Sequence, residues 1–211
     1  MRHHHAVTLR ARQCALALAL GATALAAQAQ LDTAACLSRL RAAAPANGVS
    51  VADFDRYTQG AQLLETTVSA ARSQPEVTET WWEYIAKTVD AERVADGRRI
   101  LHDNGQALDA IARRFNVDAE ALVAIFGIET NFGRQLGKTR VLDAWLTRAC
   151  TESNPLWARN AFASVRLLRD GVVEPESFVG SWSGAFGMTQ FIPTSFYELA
   201  ADGDADGRID L

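Results

Sequence analysis

Glu129 closes the apolar run Leu122-Val123-Ala124-Ile125-Phe126-Gly127-Ile128 and is followed at once by Thr130-Asn131-Phe132-Gly133. A carboxylate at the mouth of a hydrophobic helix, where the chain turns, is partly desolvated, which disfavours its charged form and raises its pKa. That is what a general acid requires near neutral pH. Taken alone, the residue fits a solvated helix-end glutamate equally well. A second stretch with chemical content runs Gly180-Ser181-Trp182-Ser183-Gly184-Ala185-Phe186-Gly187-Met188-Thr189-Gln190-Phe191-Ile192-Pro193-Thr194-Ser195. Glycines at 180, 184 and 187 let backbone approach a ligand closely. Trp182, Phe186 and Phe191 offer apolar faces, and Ser181, Thr189 and Gln190 offer hydrogen bonds. Flat aromatic faces beside short polar groups suit a sugar, and the same composition suits a packed loop whose aromatics are core. The third stretch is Asp202-Gly203-Asp204-Ala205-Asp206-Gly207-Arg208-Ile209-Asp210. Acids at positions one, three and five with Gly at six aim Asp202, Asp204 and Asp206 at one hard cation, and the backbone carbonyl of Arg208 joins at position seven. A polar Asx-rich turn without an ion is the alternative.

The elements that must position these groups read as helices. Asp32 can cap a helix whose apolar residues Ala35, Cys36, Leu40 and Ala43 recur at spacings of three and four, stopped by Pro45 and Gly48. Ser50 with Asp53 resembles a capping box for a short helix ending near Gly60. A linker or short helical connection follows Glu65. Thr80 to Thr88 reads as a helix carrying Trp81, Trp82, Tyr84 and Ile85, and Asp90 caps another that stops at Asn104-Gly105. Leu108, Ile111, Ala112 and Phe115 form a further stripe, and Asp118 opens the helix that ends at Glu129. Strand signals are nearly absent, so an all-α core is expected.

The first residues read as an export signal: Arg2, Arg10 and Arg12 make a positive start, Cys14 to Ala27 an apolar stretch too short to span a bilayer, and Ala27-Gln28-Ala29 a small-x-small cleavage site. This predicts a signal peptide over 1–29, no membrane span in the mature chain, and a periplasmic monomer. The leader holds three arginines and no acid, so its removal takes the formal charge from −4 to −7. An acidic surface without a Lys/Arg cluster excludes nucleic acid and anionic membrane surfaces as partners. Cys36 and Cys150 survive cleavage; in an oxidising compartment they can close a disulfide, and small buried apolar thiols are the alternative.

Gly127-Ile-Glu-Thr-Asn-Phe-Gly-Arg-Gln-Leu-Gly-Lys-Thr-Arg-Val-Leu-Asp-Ala144 followed by the Gly180 to Phe196 string resembles the lytic murein transglycosylase B family, whose members cleave bacterial peptidoglycan. The resemblance runs from around Cys36 to the last residue and is weakest from Arg148 to Glu176. It implies a lysozyme-like helical catalytic domain over 30–211 with a substrate groove and an EF-hand-like calcium loop. It also implies that Glu129 is the sole catalytic acid and base, that Ser181 and Gln190 hydrogen-bond the sugar at the cleavage point, and that Tyr84 lines the groove. The reaction implied breaks the bond between N-acetylmuramic acid and N-acetylglucosamine in glycan strands and leaves 1,6-anhydro ends, with no organic cofactor and with structural calcium on Asp202, Asp204, Asp206 and Arg208. The chain stops at Leu211, before position twelve of that loop, which predicts a catalytic domain whose C-terminal part is missing. Two rival functions stand beside this one. A lysozyme-type hydrolase would use Asp143 or Glu176 as a second acid, and a wall-binding fragment would hold glycan without cutting it.

Overall fold

The computed structural model describes residues 33–73, 79–203 and 206–209. The leader expected over 1–29 lies outside them. The chain divides into two compact units, 1–43 and 44–211. The described part of the first is one helix, α1, over 33–43. Cys36 and Cys150 are both disulfide-bonded.

In the second unit, a 3-10 turn over Pro45–Asn47 ends on left-handed Gly48 and leads to α2 (Val51–Thr58). Ser50 caps α2 as its sequence predicts: the Asp53 backbone N–H donates to Ser50 Oγ at 3.0 Å. Next come α3 (Glu65–Arg72), α4 (Trp81–Thr88), α5 (Ala91–Asp103), α6 (Gly105–Phe115) and α7 (Ala119–Thr130). Thr80 and Glu83 form a capping box at α4, and Asp90 Oδ1 accepts the Arg93 N–H at 2.7 Å to start α5. Asp118 stands at the N-cap of α7 but its side chain accepts no backbone N–H.

The core is built where the sequence reading has no element. Helices α8 (Val141–Thr151) and α9 (Pro155–Arg169) pack side by side, and α9 also packs against α2 and α10 (Pro193–Leu199). Residues 141–148 are all buried, polar ones included, so no apolar stripe marks α8. Helix α9 does carry a start signal, Asn154-Pro155: Asn154 Oδ1 accepts the Leu156 N–H at 2.9 Å and proline occupies the first helical position. Among the described residues, strand is limited to one antiparallel ladder in which β1 (Thr139–Arg140) pairs with β2 (Val179–Gly180), Thr139 opposite Gly180.

A second packing group joins α5, α6 and α7. Its key is Phe132, just past α7, whose ring lies on Gly127 and Gly97 and meets Phe126 edge to face with centroids 5.6 Å apart. A Cβ on Gly127 would come within 2.7 Å of that ring. The Gly127→Ala substitution is therefore expected to displace Phe132 and lower stability by about 1–3 kcal/mol, read as a lower urea midpoint with an unchanged slope.

Candidate active site

Glu129 sits in the last turn of α7 with its side chain turned outward and, among the described residues, without a hydrogen-bond or ion-pair partner. Partial burial pushes its pKa up from the ordinary glutamate value. The negative end of the helix dipole acts in the same direction. The shelter differs from the expected apolar sleeve: Ile125 and Ile128 are 49% and 43% exposed, because the inner face of α7 is Val123, Gly127 and Thr130.

The chain leaves α7 through three successive left-handed residues, Asn131, Phe132 and Gly133, with φ of 50°, 57° and 80°. Thr130 holds this exit. Its buried hydroxyl accepts the Gly133 N–H at 3.0 Å and donates to the Met188 carbonyl at 2.7 Å. That last bond joins the Glu129 segment to the Gly180 loop across 58 residues.

The loop is a ladder of short bridges, Gly180 to Phe186 and Phe186 to Phe191. The Ser181 N–H donates to the Ala185 carbonyl at 2.8 Å, and Ser181 Oγ lies 3.0 Å from Ser183 Oγ. Gln190, left-handed at φ 53°, folds its amide back so that Nε2 donates to the Gly187 carbonyl at 3.0 Å. The three aromatics of the loop divide. Phe186 is buried against Phe178 and Phe196, which removes it as a ligand face, while Trp182 and Phe191 are half-buried. A hollow of about 520 Å³ adjoins the loop, lined by Met188, Thr189, Phe191 and, at its far edge, Asp202.

The structure thus links the segments of Glu129, Ser181 and Gln190. Tyr84 stands apart on α4, a helix exposed along nearly its whole length, and no hydrogen bond ties its ring to the other three. The acidic loop carries Asp202, Asp206 and Arg208 among the described residues, with Asp204 and Asp210 outside them. Gly207, at position six, has φ 88° and donates its N–H to Asp202 Oδ2 at 2.9 Å, and Asp206 Oδ1 accepts the Arg208 N–H at 2.8 Å. The turn demanded by a cation loop is present, although no three acids or histidines converge among the described residues.

A family model for the transglycosylase SLT domain matches residues 32–211. The chain belongs to this family. The membrane-bound lytic murein transglycosylase B of Escherichia coli (strain K12) is 32% identical over 133 residues, 62% of this chain and 37% of that protein. SltB3 of Pseudomonas aeruginosa, solved with NAG-NAM-pentapeptide, is similar with a TM-score of 0.75 and 36% identity, over 84% of this chain and 48% of its own. E. coli Slt35, solved with calcium, matches with a TM-score of 0.70 and 26% identity, over 85% and 57%. This chain spans about a third to a half of the length of the first two relatives. The mainly helical, lysozyme-like fold expected from the motifs is the fold of the family.

Four site-supporting residues escape sequence reasoning: Thr67, Trp145, Asn160 and Asp96. The first three bond to partners 115, 39 and 34 residues away, so no local pattern announces them.

The raised pKa of Glu129 has a consequence for stability. The folded protein holds this proton more tightly than the unfolded chain, so folding takes up a proton in the window just above the ordinary glutamate range, and stability falls as pH rises through it. Glu129→Gln is expected to raise the melting temperature slightly at neutral pH and to leave it unchanged below the carboxylate range, where both forms are neutral. Melting curves at the two pH values check this.

Proposed function

We propose that the protein is an exported peptidoglycan lytic transglycosylase, with a signal peptide over 1–29 and a catalytic domain over 30–211, that cleaves the β-1,4 bond between N-acetylmuramic acid and N-acetylglucosamine. One observation carries the reading: an unpaired, partly desolvated carboxyl stands beside a hydrogen bond that fixes its helix to a loop bearing Ser181 and Gln190. SltB3, a relative, was solved with NAG-NAM-pentapeptide, and the same class of glycan is proposed here. The protein is proposed to act as a monomer, and the leader read in the sequence supports a periplasmic location.

Protonated Glu129 donates its proton to the glycosidic oxygen as the bond from that oxygen to C1 breaks. The carboxylate so formed removes the proton of the muramoyl 6-hydroxyl as that oxygen bonds to C1. One carboxyl gives and recovers one proton, no water enters, and the product is the 1,6-anhydro sugar. The oxocarbenium-like centre is steadied by the substrate's acetamido group and by neutral hydrogen bonds from Ser181 and Gln190, while Tyr84 lines the groove. A lysozyme-type hydrolase would need a second acid that positions water. Of its candidates, Asp143 is buried and ion-paired to Arg140 at 3.2 Å, and Glu176 is exposed on the turn before β2. Asp143 therefore has little access to water or sugar, which counts against it as the second acid.

The acidic loop is proposed to hold calcium through Asp202, Asp204, Asp206 and the Arg208 carbonyl. Support comes from the left-handed Gly207 turn and from the calcium complex of Slt35. Calcium bound there would supply a cross-link that fixes the loop. Expected outcomes are concrete. Digestion of purified peptidoglycan releases muropeptides one water lighter than hydrolysis products, and Glu129→Gln lowers the rate about 10²–10⁴-fold; mass spectra dominated by reducing ends would instead mark a hydrolase. Millimolar calcium raises the melting temperature of the protein by mass action on the folded state, a chelator reverses the rise, and Asp202→Asn abolishes it.

A further inference from the structure

The turn from Ser181 to Ala185 is held from beneath by two buried side chains on two different helices. Thr67, on α3, donates its hydroxyl to the Trp182 carbonyl at 2.9 Å. Trp145, on α8, donates its indole N–H to the Gly184 carbonyl at 2.8 Å. Thr67 is 0% and Trp145 1% exposed. The contact is close as well as directional: Gly184 has φ 88°, and a Cβ there would lie 2.5 Å from Trp145 Nε1. The turn is thus seated on the indole with no room to sink. Trp145 is in turn fixed from its other side, its ring 5.7 Å from that of Trp157, while Arg148 lies 3.7 Å over Trp157 and is ion-paired to Glu152 at 2.9 Å.

Two carbonyls drawn inward leave the turn with few degrees of freedom. The Gly184 N–H donates to the Ser181 carbonyl at 3.0 Å and the Ser181 N–H donates to the Ala185 carbonyl at 2.8 Å, so a shift at residue 182 or 184 is transmitted to Ser181. The Ser181 hydroxyl, half-buried and paired with Ser183, is the outward product of this arrangement. Neither Thr67 nor Trp145 exposes an atom that could touch a glycan.

We propose that Thr67 and Trp145 are positioning residues that set the place of the Ser181 hydroxyl against the sugar undergoing cleavage. The proposal rests on the function proposed above. Buried donors of this kind hold the turn in the fold. They also fix its position, which matters most for a hydroxyl that must meet a transition state and tolerates only displacements well below about 1 Å. The clamp is therefore expected to act on kcat more than on KM.

Thr67→Val is the cleanest test, since it removes one donor and keeps the shape. Its effect is measured in a double-mutant cycle with Ser181→Ala, using release of anhydro-muropeptides, and by hydrogen exchange of the Ser181 and Gly184 amides. The expected result is a loss of about tenfold in kcat with KM nearly constant when Ser181 is present, shrinking to less than about twofold in the Ser181→Ala background, and faster exchange confined to the turn. Trp145→Phe, which keeps a ring and loses the donor, is expected to repeat the pattern. Equal losses in both backgrounds, or unchanged exchange in the turn, would overturn the proposal. If the unaltered protein cleaves no glycan, the functional reading fails by itself, and the exchange measurement still decides whether the clamp holds the turn.

Discussion

The hydrogen bond from the Thr130 hydroxyl to the Met188 carbonyl is the constraint on which the rest of the site depends. Its donor, Thr130, is fully buried, which limits competition from water on that side, while Met188 itself is 52% exposed. It fixes the end of α7, and with it Glu129, to the loop that carries Ser181 and Gln190. The same hydroxyl accepts the Gly133 N–H, so one side chain both closes the helix exit and ties it to a segment far away in sequence. Valine at this position would keep the shape and lose both bonds, leaving the Met188 carbonyl and the Gly133 N–H unsatisfied.

Strained backbone gathers on both sides of that bond. Asn131 and Phe132 precede Gly133 in the left-handed region, and Gln190 occupies it across the junction. Asparagine adopts this conformation readily, whereas phenylalanine and glutamine do so at a cost that the surroundings must offset. For Phe132 the offset is visible: its ring fills the notch made by Gly97 and Gly127 and meets Phe126 edge to face. For Gln190 it is the side-chain bond to the Gly187 carbonyl, which ties that amide back to the loop. Non-glycine strain is thus confined largely to the two segments that bear the candidate groups, a pattern expected where local geometry serves a ligand and not the fold.

These contrasts explain which parts were legible in the amino-acid sequence. Caps at Ser50, Thr80 and Asp90 act within three residues and read directly from the chain. The motif residues read as chemistry because Glu129 and the glycine-rich loop are short, contiguous strings. What could not be read is the core that supports them. In α8 the buried residues include Asp143, Thr147 and Arg148, so burial does not follow hydropathy. Asn160 is buried in α9, and its side-chain Oδ1 accepts the N–H and hydroxyl of Thr194, capping α10 from another helix where Ile192 offers no side-chain cap. Such long-range satisfaction of polar groups leaves no periodic trace. Phe186 takes the packed alternative that the sequence left open for the motif loop, an aromatic that is core and not platform.

The electrostatics of Glu129 depend on a pairing some distance away. Arg134 follows Glu129 by five residues and would, if free to approach, favour the charged carboxylate and lower its pKa. It is instead bound to Asp96 of α5 at 2.6 Å, and Asp96 also binds Arg99 at 2.7 Å. The Arg134 guanidinium, with Arg99 beside it, holds the Asp96 carboxyl below the usual aspartate range, so the pair persists through the pH range in which Glu129 titrates. Desolvation is then left as the first cause acting on Glu129, with no opposing cation. The occupation of Arg134 by Asp96, a residue of α5 outside both motifs, thus leaves the desolvation of Glu129 unopposed.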